Sequence, residues 1–291
     1  MKVKVFLSIS PLLLLVSLAT TAPAQTASSC TFNDFEVPNA TLSGPAGVND
    51  AGVIVGAFFD QNSNGHGFVF RSGVFTTIDF PGAFSTNASG INNKGQIVGT
   101  YIDGQTFVQK GFLFQNGKFT TIFDPDGAAT IANAINDQGE IVGIVQNGTG
   151  QHGFAEINNQ FVTIDFPGAS RTDARGVNDA GEIVGGYGDQ TGRNHGYTLS
   201  NGQFTPIDFP AASVDTSPIG INQNGVVVGN WFADNGHGFI EINGNFQTAD
   251  DPQGAQTTVP SGLNASGVMV GSYVNANGQP HGFVANCQLP H

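Results

Sequence analysis

Short apolar stretches alternate with turns rich in Gly and Asn along nearly the whole chain from residue 32 onward. Within the stretches, apolar residues recur with a period of two, which is typical of β-strands that bury one face. After residue 24, no apolar run reaches the roughly 18 residues that a membrane-spanning helix needs. The pattern predicts an all-β protein built from many short strands.

The pattern repeats. One ten-residue phrase recurs six times at intervals of 42 to 44 residues: GVNDAGVIVG at Gly47, GINNKGQIVG at Gly90, AINDQGEIVG at Ala134, GVNDAGEIVG at Gly176, GINQNGVVVG at Gly220 and GLNASGVMVG at Gly262. Each unit continues with a polar loop, a strand headed by HGF, an N-G turn and a strand ending in IDFPGA or a near-copy. Four strands in about 43 residues match one blade of a β-propeller. We therefore predict a single six-bladed β-propeller over residues 25–291.

The two ends of the chain are expected to complete the sixth blade together. FNDFEVPNA, which begins at Phe32, aligns without gaps on FTTIDFPGA, which begins at Phe75. The N-terminal segment therefore supplies the last strand of a blade whose other three strands are C-terminal. The same alignment places Cys30 and Cys287 at adjacent positions of the hairpin turn that is cut in this blade, so we predict a disulfide between them.

The first residues have the layout of a secretory signal peptide. Lys2 and Lys4 precede an apolar run, and the sequence APA ends at Ala24. We predict a signal peptide over residues 1–24 and a secreted or periplasmic mature protein. A lipid anchor at Cys30 is an alternative, although the residues before it form a poor lipobox.

Composition narrows the classes of partner. Charged residues make up 11% of the chain, where about 25% is usual, and the formal net charge is −13. An acidic surface repels phosphate backbones and anionic lipid headgroups, so nucleic acid and membranes are poor candidates for partners.

The repeated phrase, the HGF strand and the FTTIDFPGA strand together resemble the bacterial extracellular repeats known as the HAF family. The resemblance extends from Phe32 to Phe283 and implies export and repetition, but no particular activity. The second repeat departs from the pattern: Lys110 takes the position of the His, and Phe123-Asp124-Pro125 stands in place of D-F-P.

Five histidines head the third strand of their repeats: His66, His152, His195, His237 and His281. At the axis of a propeller they could form a metal-binding ring. Equivalent positions on separate blades are otherwise too far apart for ligands that must lie about 2.0 to 2.1 Å from one zinc ion. We therefore predict a structural hydrogen bond within each blade, to a backbone carbonyl or to the recurring acids Asp79, Asp165, Asp208 and Glu36.

Two further patterns are candidates for binding. Asp60, Asn62 and Asn64 match the first half of a D-x-N-x-N-G calcium loop, although Arg71 stands where that loop has its Glu; a solvated polar loop is the alternative, and no other cofactor is expected. Aromatic rings recur on the second strand, with Val145 as the exception, and either stack on sugars or pack blade against blade. They are Phe58, Tyr101, Tyr187, Trp231 and Tyr273, of which Trp231 is expected to be the most exposed.

Three functions fit these features. The first is a non-catalytic binding propeller for an extracellular glycan or protein, with variable loops on a rigid scaffold. The second is a polysaccharide hydrolase or lyase that uses carboxylates in the loops, and the third is a structural surface component. The recurrence of the acids in successive repeats argues against catalysis, because an active site breaks the symmetry of a repeat protein.

Overall fold

The computed structural model describes residues 29–124, 126–158, 160–212 and 214–289. The predicted signal peptide, residues 1–24, lies outside the described residues. Within the described ranges, no helix has the length and apolar character to cross a membrane. The chain there folds into 24 β-strands joined by turns.

The first four units after the N-terminal strand are four-stranded blades. Their strands, in blade order, are β2 Leu42–Val48, β3 Ile54–Phe59, β4 Gly65–Arg71 and β5 Val74–Ile78; β6 Ala83–Ile91, β7 Ile97–Asp103, β8 Gln109–Gln115 and β9 Lys118–Ile122; β10 Ala129–Ile135, β11 Ile141–Asn147, β12 Gly150–Ile157 and β13 Gln160–Ile164; β14 Arg171–Val177, β15 Ile183–Gly188, β16 Asn194–Ser200 and β17 Gln203–Ile207. Neighbouring strands within each blade are antiparallel and consecutive.

The remaining eight strands form one sheet, which we call the closing sheet. Its strands are β18 Thr216–Ile221, β19 Val227–Phe232, β20 Gly236–Ile242, β21 Asn245–Thr248, β22 Thr257–Leu263, β23 Val268–Val274, β24 Pro280–Gln288 and the N-terminal strand β1 Ser29–Phe35. The prediction of six separate blades is corrected here: among the described strands, four blades stand as separate sheets. The other eight strands are joined because Gly236 in β20 pairs in parallel with Thr257 in β22.

The recurring G-x-N phrase forms the turn between the first and second strands. In the first unit, the Asn49 side-chain oxygen accepts a hydrogen bond from the N–H of Val53 at 3.0 Å. Gly52 adopts φ +70°, a conformation that side chains resist. The sequence therefore encodes each tight turn locally.

The same asparagines link the units around the axis of the molecule. Each buried side chain donates from Nδ2 to the backbone oxygen of the equivalent asparagine in the next unit, at 2.9 to 3.4 Å: Asn49 to Asn92, Asn92 to Asn136, Asn136 to Asn178, Asn178 to Asn222, Asn222 to Asn264, and Asn264 to Asn49. The last of these bonds closes the ring. Because buried polar groups are costly when unpaired, the ring fixes the spacing of the units.

Glycine is required where the inner strands approach each other. A Cβ atom on Gly90 would lie 2.9 Å from the Cα of Ala134 in the next unit. The hydrophobic core fills the space between successive units: the second residue of each IVG-like phrase is fully buried in all six of them, namely Val55, Val98, Val142, Val184, Val228 and Val270. Each blade is thus stabilised by burial against its neighbours.

The ends of the chain pair as predicted. β1 runs antiparallel to β24, and Cys30 and Cys287 form a disulfide with their Cα atoms 4.0 Å apart. The prediction of the disulfide is confirmed, but its setting differs from a cut turn. The two cysteines face each other across the ladder, which continues to the pair Ser29 and Gln288.

Candidate functional site

The repeated histidines are held by acids of their own unit. Each Nδ1 lies 2.8 to 3.0 Å from a carboxylate: His66 with Asp79, His152 with Asp165, His195 with Asp208, His237 with Asp250, and His281 with Glu36. Because a carboxylate only accepts, Nδ1 is the donor. Each of these five histidines is thus bonded to an acid within its own unit. Among the described residues, no group of three or more His, Cys, Asp or Glu is placed to hold a metal ion.

The second blade replaces this pair with another. Lys110 donates from Nζ to Asp103 at 3.0 Å and lies 5.7 Å from the centre of the Phe123 ring, which occupies the position of the acid. Backbone N–H groups, that of Thr106 foremost, and Lys110 hold the pKa of Asp103 well below its ordinary value. In this repeat the bond between His and the acid is therefore replaced by an ion pair between Lys110 and Asp103.

The aromatic rings of the second strand pack between units. Phe80, Phe166 and Phe209 stack on the rings of the following unit, with centroids 3.7 Å apart for Phe80–Tyr101, 3.6 Å for Phe166–Tyr187 and 4.3 Å for Phe209–Trp231. The histidines cover the other side of four rings: Phe58, Tyr187, Trp231 and Tyr273.

Trp231 is 8% exposed, so the prediction that it would be the most exposed of these rings is wrong. Phe209 covers one side of the indole and His237 the other. Tyr101 and Tyr273 are buried still further, at 4% and 2% exposed. In this structure the three buried rings pack between neighbouring units. Direct binding of a ligand by the five rings stays a prediction.

The candidate calcium loop is closed by its own hydrogen bonds. Asp60 Oδ1 accepts from the backbone N–H groups of Asn62 and Asn64 at 2.8 Å, and Oδ2 accepts from Asn64 Nδ2 at 3.0 Å. These bonds, the Asn64 side chain first, lower the pKa of Asp60 to about 2. Asp189 closes the equivalent loop in the fourth blade in a similar way. The geometry favours the polar loop, and calcium binding stays a prediction.

The symmetry of the stacks is broken between the second and third blades. We call the contact of Phe166 with Tyr187, between the third and fourth blades, the filled junction. Between the second and third blades, the equivalent positions hold Asp124 and Val145, and we call this place the open junction. A cavity of about 210 Å³ lies there. Its lining residues are Asp124, Val145, Asn147, Thr149, His152, Gly153, Phe154, Phe161, Thr163 and Asp165.

The cavity follows from the two substitutions. At the filled junction, Phe166 also packs against Phe204, with centroids 5.2 Å apart. At the open junction, the equivalent Phe161 packs on Phe154 at 5.0 Å, while an acid takes the position of the covering ring. Val145, which is 4% exposed, is shorter than Tyr187 and forms one wall.

The polar groups at the open junction have spare capacity. Asp124 Oδ1 accepts from the N–H of Asp126 at 2.9 Å, and a carboxylate can accept further bonds. Thr163 is equivalent to Thr121, whose hydroxyl lies 3.0 Å from the Tyr101 hydroxyl. No partner of the Thr163 side chain is found among the described residues, because Val145 carries no hydroxyl. The cavity thus combines an aromatic wall with free hydrogen-bonding groups.

A second cavity, of about 100 Å³, lies on the axis within the ring of turns. The carboxylates of the surrounding turns, of which Asp50 lines the cavity, are used by the fold. Asp50 accepts from the N–H of Ala265, and Asp137 and Asp179 accept from equivalent N–H groups. Arg175 is paired with Asp173 at 2.9 Å. The axial groups therefore serve mainly to join neighbouring units.

Sequence reasoning did not identify Asp124, Val145, Asn147, Phe161 and Thr163 as one site. The signal was present in two separate departures from the repeat: Val145 interrupts the aromatic series, and F-D-P replaces D-F-P before Asp126. Recognising them as neighbours requires the contact between the end of one blade and the second strand of the next.

No protein-family model and no curated protein matches the sequence. Solved structures share its fold. A protein of unknown function from Dyadobacter fermentans has a TM-score of 0.59 and 10% identity, covering 91% of this chain and 100% of that chain. The β-propeller domain of the Trilobed protease from Pyrococcus furiosus has a TM-score of 0.55 and 9% identity, covering 85% and 94%.

A fungal lectin from Aleuria aurantia, described as a six-bladed β-propeller with a novel mode of fucose recognition, has a TM-score of 0.50 and 10% identity, covering 85% of this chain and 93% of that chain. At these identities the likeness shows the fold alone. The protein is an all-β propeller.

Proposed function

We propose that this chain is a secreted, non-catalytic six-bladed propeller that binds an extracellular glycan. The observation that carries the proposal is the cavity at the open junction, where a framework repeated elsewhere is interrupted by an acid and a small apolar residue. The repeated contacts maintain the fold, so positions that depart from the repeat are available for a function.

Two observations support the wider features of the proposal. The closing sheet contains two runs of four strands joined by one parallel pair, and the asparagine ring has six members, so we count these runs as the fifth and sixth blades. The disulfide fits an oxidising compartment and supports export. Membership of the HAF family is part of the same proposal and rests on the repeat phrases.

The pairing of the acids favours binding over catalysis. A glycosidase uses one carboxylic acid and one carboxylate on either side of the scissile bond. At the cavity, Asp165 is already bound to His152 at 2.8 Å, as in the repeats without the cavity. Asp124 is thus the acid peculiar to this site. Recognition of a fucose-containing ligand by a lectin of the same fold shows that such a scaffold can hold sugars, and supports a glycan in preference to a protein partner.

A glycan array tests the proposal. The oxidised protein comprising residues 25–291 is applied with calcium and, separately, with chelator, and heat-denatured protein serves as the control. We expect reproducible binding to one class of glycan and no release of reducing ends from it during prolonged incubation. A blank array from folded protein in both conditions would overturn glycan binding, and steady turnover would overturn the non-catalytic assignment.

A further inference from the structure

We propose that the cavity at the open junction binds one neutral pyranose ring of a glycan. This inference rests on the proposed function, because it assigns that function to a site and names its ligand. The argument depends on the shape of the cavity, on its apolar wall and on the charge of its polar groups.

The cavity has the shape of the space that a pair of stacked rings fills at the filled junction. At the filled junction two rings lie parallel with centroids 3.6 Å apart and an interplanar angle of 2°. The substitution of Asp124 and Val145 at these positions leaves about 210 Å³ between the blades. Drug-sized ligands occupy pockets of about 300 to 1,000 Å³, so the cavity suits a single ring.

The apolar wall suits one face of a sugar. Phe161 is half-buried, and Phe154 packs behind it with centroids 5.0 Å apart. At the filled junction the equivalent Phe204 is covered by Phe166. An aromatic face that lacks its usual cover gains free energy by burying the C–H face of a pyranose.

The polar groups suit hydroxyls around the edge of such a ring. Asp124 retains acceptor capacity, and Thr163 can both donate and accept. Asn147 accepts from the N–H and the hydroxyl of Thr149 through Oδ1, at 2.9 and 2.6 Å. Its Nδ2 group donates to no other described residue, and Asn147 is one of the residues that line the cavity. Hydrogen bonds to a charged acceptor such as Asp124 are the stronger ones in recognition.

The negative charge of the site determines whether a neutral sugar, an aromatic ring or an acidic sugar is favoured as ligand. A phenol ring bound below Asp124 would turn the negative face of its quadrupole towards the carboxylate, which is unfavourable. A pyranose can instead offer hydroxyl donors to the carboxylate. A uronic acid would bring a third carboxylate close to Asp124 and Asp165 on a chain of formal net charge −13. The observations therefore favour a neutral sugar over an aromatic or acidic ring.

The experiment uses methyl glycosides of neutral hexoses and of fucose, with methyl glucuronide for comparison. Binding to the oxidised protein is measured by saturation-transfer NMR and by backbone amide shifts. We expect saturable binding of at least one neutral glycoside, with shifts at Val145, Gly153 and Thr163, and at least tenfold weaker binding of the glucuronide.

Variants locate the site. The double substitution Asp124→Phe with Val145→Tyr restores the stack found at the filled junction and should weaken binding of the glycoside at least tenfold. Thr163→Ala should weaken it severalfold, whereas Thr121→Ala, at the equivalent position of the second blade, should leave it unchanged. The threonine pair keeps the test independent of whether the double variant folds.

The outcomes separate the two proposals. Array binding that persists in the double variant and in Thr163→Ala would place the glycan elsewhere, overturning the site while leaving the proposed function intact. Binding of the glucuronide as tight as that of a neutral sugar would overturn the ligand class. Absence of binding both on the array and to every glycoside would overturn both proposals.

Discussion

The filled and open junctions have the same backbone framework, but one is packed with aromatic rings and the other leaves a cavity. At the filled junction, Phe166 and Tyr187 bury their rings against each other; at the open junction, Asp124 and Val145 leave a cavity with an aromatic wall. The strand ladders and the asparagine ring are the same at both places. A repeat protein can give up one copy of a packing contact when its backbone contacts are retained, and that copy becomes available for binding.

A third junction lies between these extremes. In the closing sheet, Tyr273 keeps its ring, but Asp251 takes the position of the covering Phe. The Tyr273 hydroxyl donates to Asp34 at 2.8 Å. Replacement of the covering ring by an acid is thus insufficient to define the open junction, which also requires the loss of the second-strand ring.

The largest effect is expected from breaking the filled junction. Phe166→Ala removes a half-buried ring that packs on Tyr187, Phe204 and Tyr197, and should lower the free energy of unfolding by about 3 kcal/mol. Urea denaturation followed by fluorescence measures it. Asp124→Ala, at the same position of the open junction, is the matched control and should change stability by less than about 1 kcal/mol. Equal losses from the two substitutions would contradict the comparison.

Most of the fold could be predicted from the sequence because its determinants are local. The G-x-N turn, the alternating strands and the pairing of Cys30 with Cys287 are each encoded within one repeat or by the alignment of the two ends. The merging of eight strands into one sheet could not be predicted, because it depends on a single pair, Gly236 and Thr257.

The site could be predicted only in part. The bond from each His to its acid lies within one unit, and the periodicity is sufficient to suggest it. Burial of Trp231 depends on Phe209 from the preceding unit, which a single repeat does not show. The open junction is likewise formed by residues of two blades, so its two departures look unrelated along the chain.

The second effect comes from filling the open junction. The double substitution Asp124→Phe with Val145→Tyr should raise the free energy of unfolding by about 1.5 kcal/mol, because the two rings can stack as they do at the filled junction and the new hydroxyl can lie near Thr163, as that of Tyr101 lies near Thr121. Tyr101→Val in the second blade is the mirror control and should destabilise the protein by about 2 kcal/mol. Thermal and chemical denaturation measure both. A loss of stability in the double variant would show that the cavity cannot accept a stacked pair of protein rings.

The third junction should respond to pH. Burial, followed by the nearby Asp34, raises the pKa of Asp251, which is 3% exposed and whose Oδ2 has no partner among the described residues. The folded protein therefore binds this proton more readily than the unfolded chain, and the ionised carboxylate destabilises the fold at pH 7. Asp251→Asn should be more stable than the parent by about 1 kcal/mol at pH 7.

The pH profile provides the control for Asp251→Asn. As the pH falls through the raised folded-state pKa, the parent becomes protonated and the advantage of the variant should disappear, near the unfolded-state value of about 4. A stability difference for Asp251→Asn that is constant from pH 7 to pH 4 would show that its charge is not responsible.

The smallest effect should come from the histidines that flank both junctions. His195→Gln removes the 2.9 Å bond to Asp208 beside the filled junction, and His152→Gln removes the 2.8 Å bond to Asp165 beside the open one. Because these pairs lie near the surface, each substitution should cost about 0.5 kcal/mol. The comparison of the two is informative, since His195 also stacks on Tyr187 with centroids 5.1 Å apart, whereas His152 faces Val145. A larger loss for His195→Gln would attribute part of its role to ring packing, while equal losses would assign the role to the bond with the acid.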